Sequence, residues 1–280
     1  DASYQLDANN SIGANFGFLR NPKQTWNGDM SSSILQDEEL SENSDSHADF
    51  FWQKNNLSSN IYYVGKIGKL SIDFNTDWLW SKEYQNDVTK EQYQEVRMDA
   101  QSQTAHSLTN KDYHLLASKL VLSYPLLGGD LSLGGEYSNT HRTSKYQVVP
   151  TNLVSDDDSR ITESMTSSFL TYSRDFGNLS LEAGLRYEYI DFNYYEYGKY
   201  IPGQSKSYGN WFPSLSLSMP VGKVQMQLSY AADINRPSYH NLRSGIQYDN
   251  RYTYETGNPF LVSQISRNLN YELAYKWLTF

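Results

Sequence analysis

The stretch Leu179-Ser180-Leu181-Glu182-Ala183-Gly184-Leu185-Arg186-Tyr187-Glu188-Tyr189 decides the fold. Its odd positions are apolar or aromatic and its even positions small or charged, a period of two that sends alternate side chains to opposite faces of an extended strand. The same split recurs in both directions along the chain. Val224, Met226, Leu228 and Tyr230 alternate with Gln225, Gln227 and Ser229, and Asp233 continues the polar set. Leu70, Ile72, Phe74, Trp78 and Trp80 form a third apolar set, and Leu131, Leu133 and Tyr137 oppose Ser132 and Glu136. Leu269, Tyr271, Leu273, Tyr275 and Trp277, alternating with Glu272 among others, form a fifth. Apolar residues seldom recur at helical spacing, so the chain reads as all-β.

About ten strands are predicted, near 9–19, 57–66, 68–83, 112–124, 130–147, 162–175, 178–194, 209–219, 222–235 and 268–277. Tight turns at Gly65-Lys66-Ile67-Gly68, Leu127-Gly128-Gly129-Asp130, Asp175-Phe176-Gly177-Asn178 and Pro220-Val221-Gly222-Lys223 alternate with long polar loops near 20–56, 84–111, 148–161, 195–208 and 236–267. A soluble sandwich has no reason to gather its long loops at one end. An outer-membrane barrel does, with short periplasmic turns and long extracellular loops. Trp78, Tyr137, Tyr187 and Tyr230 each lie about eight to ten residues beyond their short turn, roughly 20 to 25 Å at ordinary strand rise and tilt, where an upper aromatic girdle belongs. Tyr124, Tyr275 and Trp277 suit a lower girdle. The predicted fold is therefore an antiparallel transmembrane β-barrel segment of about ten strands, the even residues around Glu182, Arg186 and Glu188 together with Gln225, Gln227, Asp233 and Glu272 facing the lumen.

Composition narrows the function. Cysteine is absent, which removes disulfides, thiolate metal sites and thiol catalysis. A net charge of -9 argues against nucleic acid as a partner. Mean hydropathy is -0.68 and no apolar run is long enough for a membrane-spanning helix. The 24 tyrosines favour interfaces between apolar and wet surroundings, which here means outer-membrane lipid.

The segment Ala231-Ala232-Asp233-Ile234-Asn235-Arg236-Pro237-Ser238-Tyr239-His240-Asn241-Leu242, with Tyr254-Glu255-Thr256-Gly257-Asn258-Pro259-Phe260-Leu261 and Asn268-Leu269-Asn270-Tyr271-Glu272-Leu273, resembles the barrel of Bacteroidetes-type TonB-dependent receptors. Its diagnostic residues are Arg236, Pro237, Gly257, Asn258 and Pro259, and Trp211-Phe212-Pro213-Ser214-Leu215 is similar too. The resemblance implies an outer-membrane transporter taking up a nutrient such as a glycan, peptide or metal chelate. Its partners would be the TonB system acting through a plug domain and, at the surface, a lipoprotein. Family barrels have about twenty-two strands and a plug, so residues 1–280 are expected to be a C-terminal portion of a larger receptor. The start at Asp1 and the phase break at Phe280 read as cuts. Two alternatives stand beside this: a complete small barrel with enzymatic loops, and a soluble β-protein that binds glycans through Tyr and Trp.

No cofactor is expected. His47, His106, His114, His141 and His240 lack metal-ligand spacing. Asp156-Asp157-Asp158 and Asp37-Glu38-Glu39 lack the alternation and glycine of a calcium loop and read as solvated loop tips. His141 with Asp156 to Asp158 is the one constellation for hydrolysis, a weak one, and no enzyme activity is expected. Candidate solute-binding residues are the loop aromatics Trp26, Tyr93, Tyr252 and Tyr254.

Overall fold

A computed structural model describes residues 1–276, 278 and 279, with only the backbone of the last two. The strands, in chain order, are β1 (Ala2–Asp7), β2 (Asn10–Gln36), β3 (Glu39–Ile67), β4 (Leu70–Glu95), β5 (Gln101–Leu126), β6 (Gly129–Val149), β7 (Asp157–Phe176) and β8 (Leu179–Glu196). They continue with β9 (Lys199–Tyr200), β10 (Lys206–Val221), β11 (Val224–Asn235), β12 (Ile246–Asn250), β13 (Thr253–Thr256), β14 (Gln264–Tyr275) and β15 (Leu278–Thr279). A single antiparallel meander runs β1-β2-β3-β4-β5-β6-β7-β8-β10-β11-β14-β15, with β9 added to β8 and a separate β12–β13 hairpin. Every predicted strand and every predicted tight turn is present. Trp277 and Phe280, placed in the lower girdle and at a cut by the sequence, lie outside the described residues.

Cross-strand pairing carries the two faces around the sheet without a break. Glu182 lies opposite Ser216 and Ser173, Arg186 opposite Phe212 and Phe169, and Glu188 opposite Asn210 and Ser167. Gln227 lies opposite Ser218 and Glu272, and Asp233 opposite Ser266. The polar set is thus one continuous face, the inner one in a barrel. The other face carries Phe16, Trp211 and Leu269, each 61–70% exposed. Large apolar side chains left this bare over a whole face are covered by lipid in an outer-membrane barrel. Trp78, Tyr137, Tyr187 and Tyr230 all lie on this apolar face, and Tyr187 packs beside Trp211 with ring centroids 4.7 Å apart.

Two corrections concern the loops. Segments 20–56 and 84–111 are not loops but the upper halves of the β2–β3 and β4–β5 hairpins, paired as far as Gln36 with Glu39 and Tyr93 with Gln101. Above the membrane both faces of a hairpin meet water, so hydrogen bonding holds the ladder while side-chain alternation lapses. Residues 2–7, outside every predicted segment, form β1 against β2. A register slip between Asn21 and Gln24 in β2 inserts an extra residue, which inverts the parity above it and turns Trp26 to the inner face opposite Phe50. The turns opposite this end are tight, with Gly68 at φ 61 and Gly222 at φ 64, a left-handed backbone that two-residue hairpin turns require.

Candidate functional site

The β11–β14 connection, residues 236–263, is the site's main feature. It leaves β11 and lies as a strap across the inner face of the upper wall. Each attachment falls on an inner-face position. At its root Arg236 pairs with Glu188 of β8, which also holds Arg186 Nε at 2.6 Å, while Arg186 Nη2 reaches Glu136 of β6 at 3.2 Å. Charge-assisted bonds of this kind contribute about 1.5–3 kcal/mol each where solvent is excluded, and less in this half-buried network. Tyr239 donates to Glu163 of β7 at 3.0 Å. Leu242 then enters an apolar cluster with Ile161, Ile190, Phe192 and Tyr194. The inner positions of β8 are polar at Glu182, Arg186 and Glu188 but apolar or aromatic at Ile190, Phe192 and Tyr194, and the strap covers that part.

Beyond Leu242 the strap reaches the far wall. Tyr194 and Ser244 hydroxyls meet at 2.9 Å. The β12–β13 hairpin sets Tyr248 among Ala105, Tyr146 and Val148. Tyr248 donates its hydroxyl to Glu91 of β4, accepts from Gln103 at 2.9 Å, and its backbone N–H bonds the Tyr146 oxygen at 3.0 Å. Burial, with the Glu91 carboxylate beside it, pushes the Tyr248 phenol up, so it stays a donor at every physiological pH. Glu91, only 2% exposed, also accepts the Arg251 N–H at 2.6 Å. Arg251 Nε in turn pairs with Glu42 of β3 at 3.2 Å.

The diagnostic residues close the strap on itself. Gly257 approaches the carbonyl oxygens of Asn241 and Arg243 so closely that a Cβ would stand 2.6 Å from each, and neither is a side chain able to yield. That approach lets the Asn258 N–H reach Asn241 O at 2.7 Å, and the Asn258 side chain then accepts the Phe260 N–H at 3.0 Å. Pro259 and Pro237, which lack an N–H, sit outside any ladder.

Three of the four aromatic residues singled out by sequence meet at the far end. The Arg251 guanidinium lies 3.7 Å from the Tyr93 ring centre, Tyr252 donates to Glu42, and Tyr254 packs edge-on to Tyr248 at 5.8 Å. Trp26 stands apart, stacked on Phe50 at 4.5 Å and 67% exposed. They belong to strands and a hairpin turn rather than to free loops. Of the polar residues, Glu188 and Arg186 anchor the strap, Asp233 lies on β11 three residues before the strap leaves it, and Glu182, Gln225, Gln227 and Glu272 lie away from it on the lower inner face. Sequence reading missed Glu42 and Glu91, from stretches without alternation, and Glu163, near the start of the predicted strand 162–175.

His141 and the aspartates do not converge. His141 lies on the outer face, Asp158 pairs with Lys145 at 2.8 Å, and Asp157 is buried beneath Gly245. Asp37 and Glu38 form the β2–β3 turn at positive φ. Among the described residues, no group of three or more acids and histidines could hold a metal ion.

Asp87 of β4 is a titrating element beneath the strap. Burial pushes its carboxyl up to about 6, the Asp249 charge on β12 adds to this, and the Gln85 hydrogen bond and Lys111 oppose it. Among the described residues its Oδ1 has no hydrogen-bond partner. A carboxyl whose folded pKa is raised binds more protons folded than unfolded, so stability falls as pH rises from about 4 through about 6. Hydrogen exchange in residues 246–256 is expected to be slower at pH 5 than at pH 7.5, after correction for intrinsic rates. Asp87→Asn is expected to remove most of that difference, and an undiminished difference in the variant would show the pH response to lie elsewhere.

A two-faced meander with an apolar outer face, short turns at one end and a strap folded over its inner wall defines an outer-membrane β-barrel wall. A family profile described as the outer membrane protein beta-barrel family matches residues 65–280, and the chain belongs to that family. Its place is the bacterial outer membrane. No match was found among curated proteins. Among solved structures the chain is similar to the ferric-catecholate import receptor Fiu from E. coli K12, with 9% identity and a TM-score of 0.50 over 99% of this chain and 53% of that one. It also matches the alcaligin outer membrane receptor FauA from Bordetella pertussis, with 12% identity and a TM-score of 0.40 over 98% of this chain and 50% of that one. At such identities the likeness concerns fold alone. The chain spans about half the length of these solved structures.

Proposed function

We propose that the chain is part of the wall of a TonB-dependent nutrient receptor of Bacteroidetes type, in which the strap and the tall β2–β5 wall hold an extracellular solute above the membrane. The observation that carries this reading is the strap itself, which presents Tyr252 and Tyr254 at the mouth and leaves Trp26 bare on the same inner face. The Arg236-Pro237 and Gly257-Asn258-Pro259 motifs support the family type, because each has a structural task at the two ends of the strap. A plug coupled to TonB would supply the energy for passage, and a surface lipoprotein would deliver oligomeric solutes. The neighbouring structures are named as receptors, which favours transport over an enzymatic reading.

A growth panel on single nutrients, comparing cells with and without the full-length receptor, identifies the solute that depends on it. Alanine at Trp26, Tyr93, Tyr252 and Tyr254 together is then expected to lower uptake of that solute at least tenfold, with the amount of receptor in the outer membrane unchanged. Uptake equal to the native receptor would remove the recognition role of these side chains.

A further inference from the structure

Lys54, Lys111 and Arg142 lie far apart in sequence but meet on the inner face just above the girdle. Lys54 is opposite Glu83, Glu83 is opposite Lys111, and Tyr113 is opposite Arg142. Four adjacent strands, β3 to β6, thereby place three cations and one carboxylate on two neighbouring rungs. Lys111 is committed to Glu83 at 2.7 Å, whereas among the described residues no carboxylate pairs with Lys54 or Arg142. Together with Asn56, Ser81 and Tyr113 these groups line a cavity of about 300 Å³, the lower end of the range that small ligands occupy. The Tyr239 ring of the strap lies 5.8 Å from the Arg142 guanidinium and shelters it. Burial also holds the Arg142 pKa below its ordinary value, although the group remains charged.

This grouping runs against the chain as a whole, which carries 32 acidic and 23 basic residues. Unpaired cations crowded under a strap repel one another and lose hydration, a cost that a bound anion offsets. We propose that the cavity binds an anionic group of the solute, a polycarboxylate or a chelate bearing carboxylates. Arg142 supplies a planar fork, Lys54 a point charge and Tyr113 a hydroxyl. This rests on the transporter reading and names the chemical class of its solute.

The test uses the full-length receptor purified in detergent, with citrate and ferric citrate as anionic probes and maltotriose as a neutral one, titrated by calorimetry at low and high salt. At least one anionic probe is expected to bind tenfold or more tighter than maltotriose. Lys54→Gln and Arg142→Gln are each expected to weaken that binding about tenfold. Arg142→Lys, which keeps the charge, should retain more affinity than Arg142→Gln, and Lys145→Gln on the outer face should bind as the native protein does. Heat-modifiable migration on gels checks that each variant is folded. No preference for an anion over maltotriose, unchanged affinity in Lys54→Gln and Arg142→Gln, or equal weakening by Lys145→Gln would each overturn the site. A receptor that binds the anion in detergent while cells take none up would overturn transport and leave the site standing.

Discussion

Leu185→Arg is expected to destabilise the full-length barrel in lipid by about 2–4 kcal/mol, because it places a cation on the apolar face near the bilayer midplane. Leu185 lies opposite Pro213 and Leu170 on that face, six residues beyond the start of β8. Glu182→Arg, three positions away, points to the exposed inner face and should cost less than about 1 kcal/mol, since water solvates either charge there. Urea-dependent folding into lipid vesicles, followed by gel migration, measures both. Equal losses would mean that the two faces are assigned the wrong way round.

Glu91→Ala is expected to free the far half of the strap. Glu91 is buried and accepts both the Tyr248 hydroxyl and the Arg251 N–H, so its removal leaves two donors without an acceptor at about 2–4 kcal/mol. Local opening of residues 246–256 then becomes roughly 30-fold to 1,000-fold more frequent, read as lost hydrogen-exchange protection at the Tyr248 and Arg251 amides. Glu91→Gln keeps one acceptor and should lose less. Gln92→Ala, on the exposed opposite face, should lose nothing. Protection unchanged in Glu91→Ala would show that the apolar cluster around Tyr146 and Val148 holds the hairpin by itself.

The sequence revealed the membrane part of this fold because lipid on one face and water on the other impose a period of two on every strand that crosses. Leu179 to Tyr189 carries that imprint in full. Where β2 to β5 rise above the girdle the imprint ends: Ser31, Asp45 and Gln92 sit in a regular ladder with polar residues on both faces, and they read as loop. The tight turns were legible through Gly68 and Gly222, whose left-handed backbone favours glycine. The strap was visible only as a family pattern. That Arg236 finds Glu188 and that Gly257 presses on the backbone at Asn241 and Arg243 are facts of distant packing, with no local signature. The same holds for Lys54, Lys111 and Arg142, which only strand register brings together.

The strap also sets an order of assembly. Each wall strand from β2 to β8 pairs with its sequence neighbours, so these hairpins can zip up one after another at small cost in loop closure. The Arg251 and Tyr252 contacts with Glu91 and Glu42 join residues 160 and 210 positions apart, and they span β3 through β11. They have no partner surface until those strands stand side by side. The docked strap is therefore a seal made last, and a barrel whose wall has failed to form anywhere between β3 and β8 leaves residues 236–263 open to any protease that reaches the cell surface.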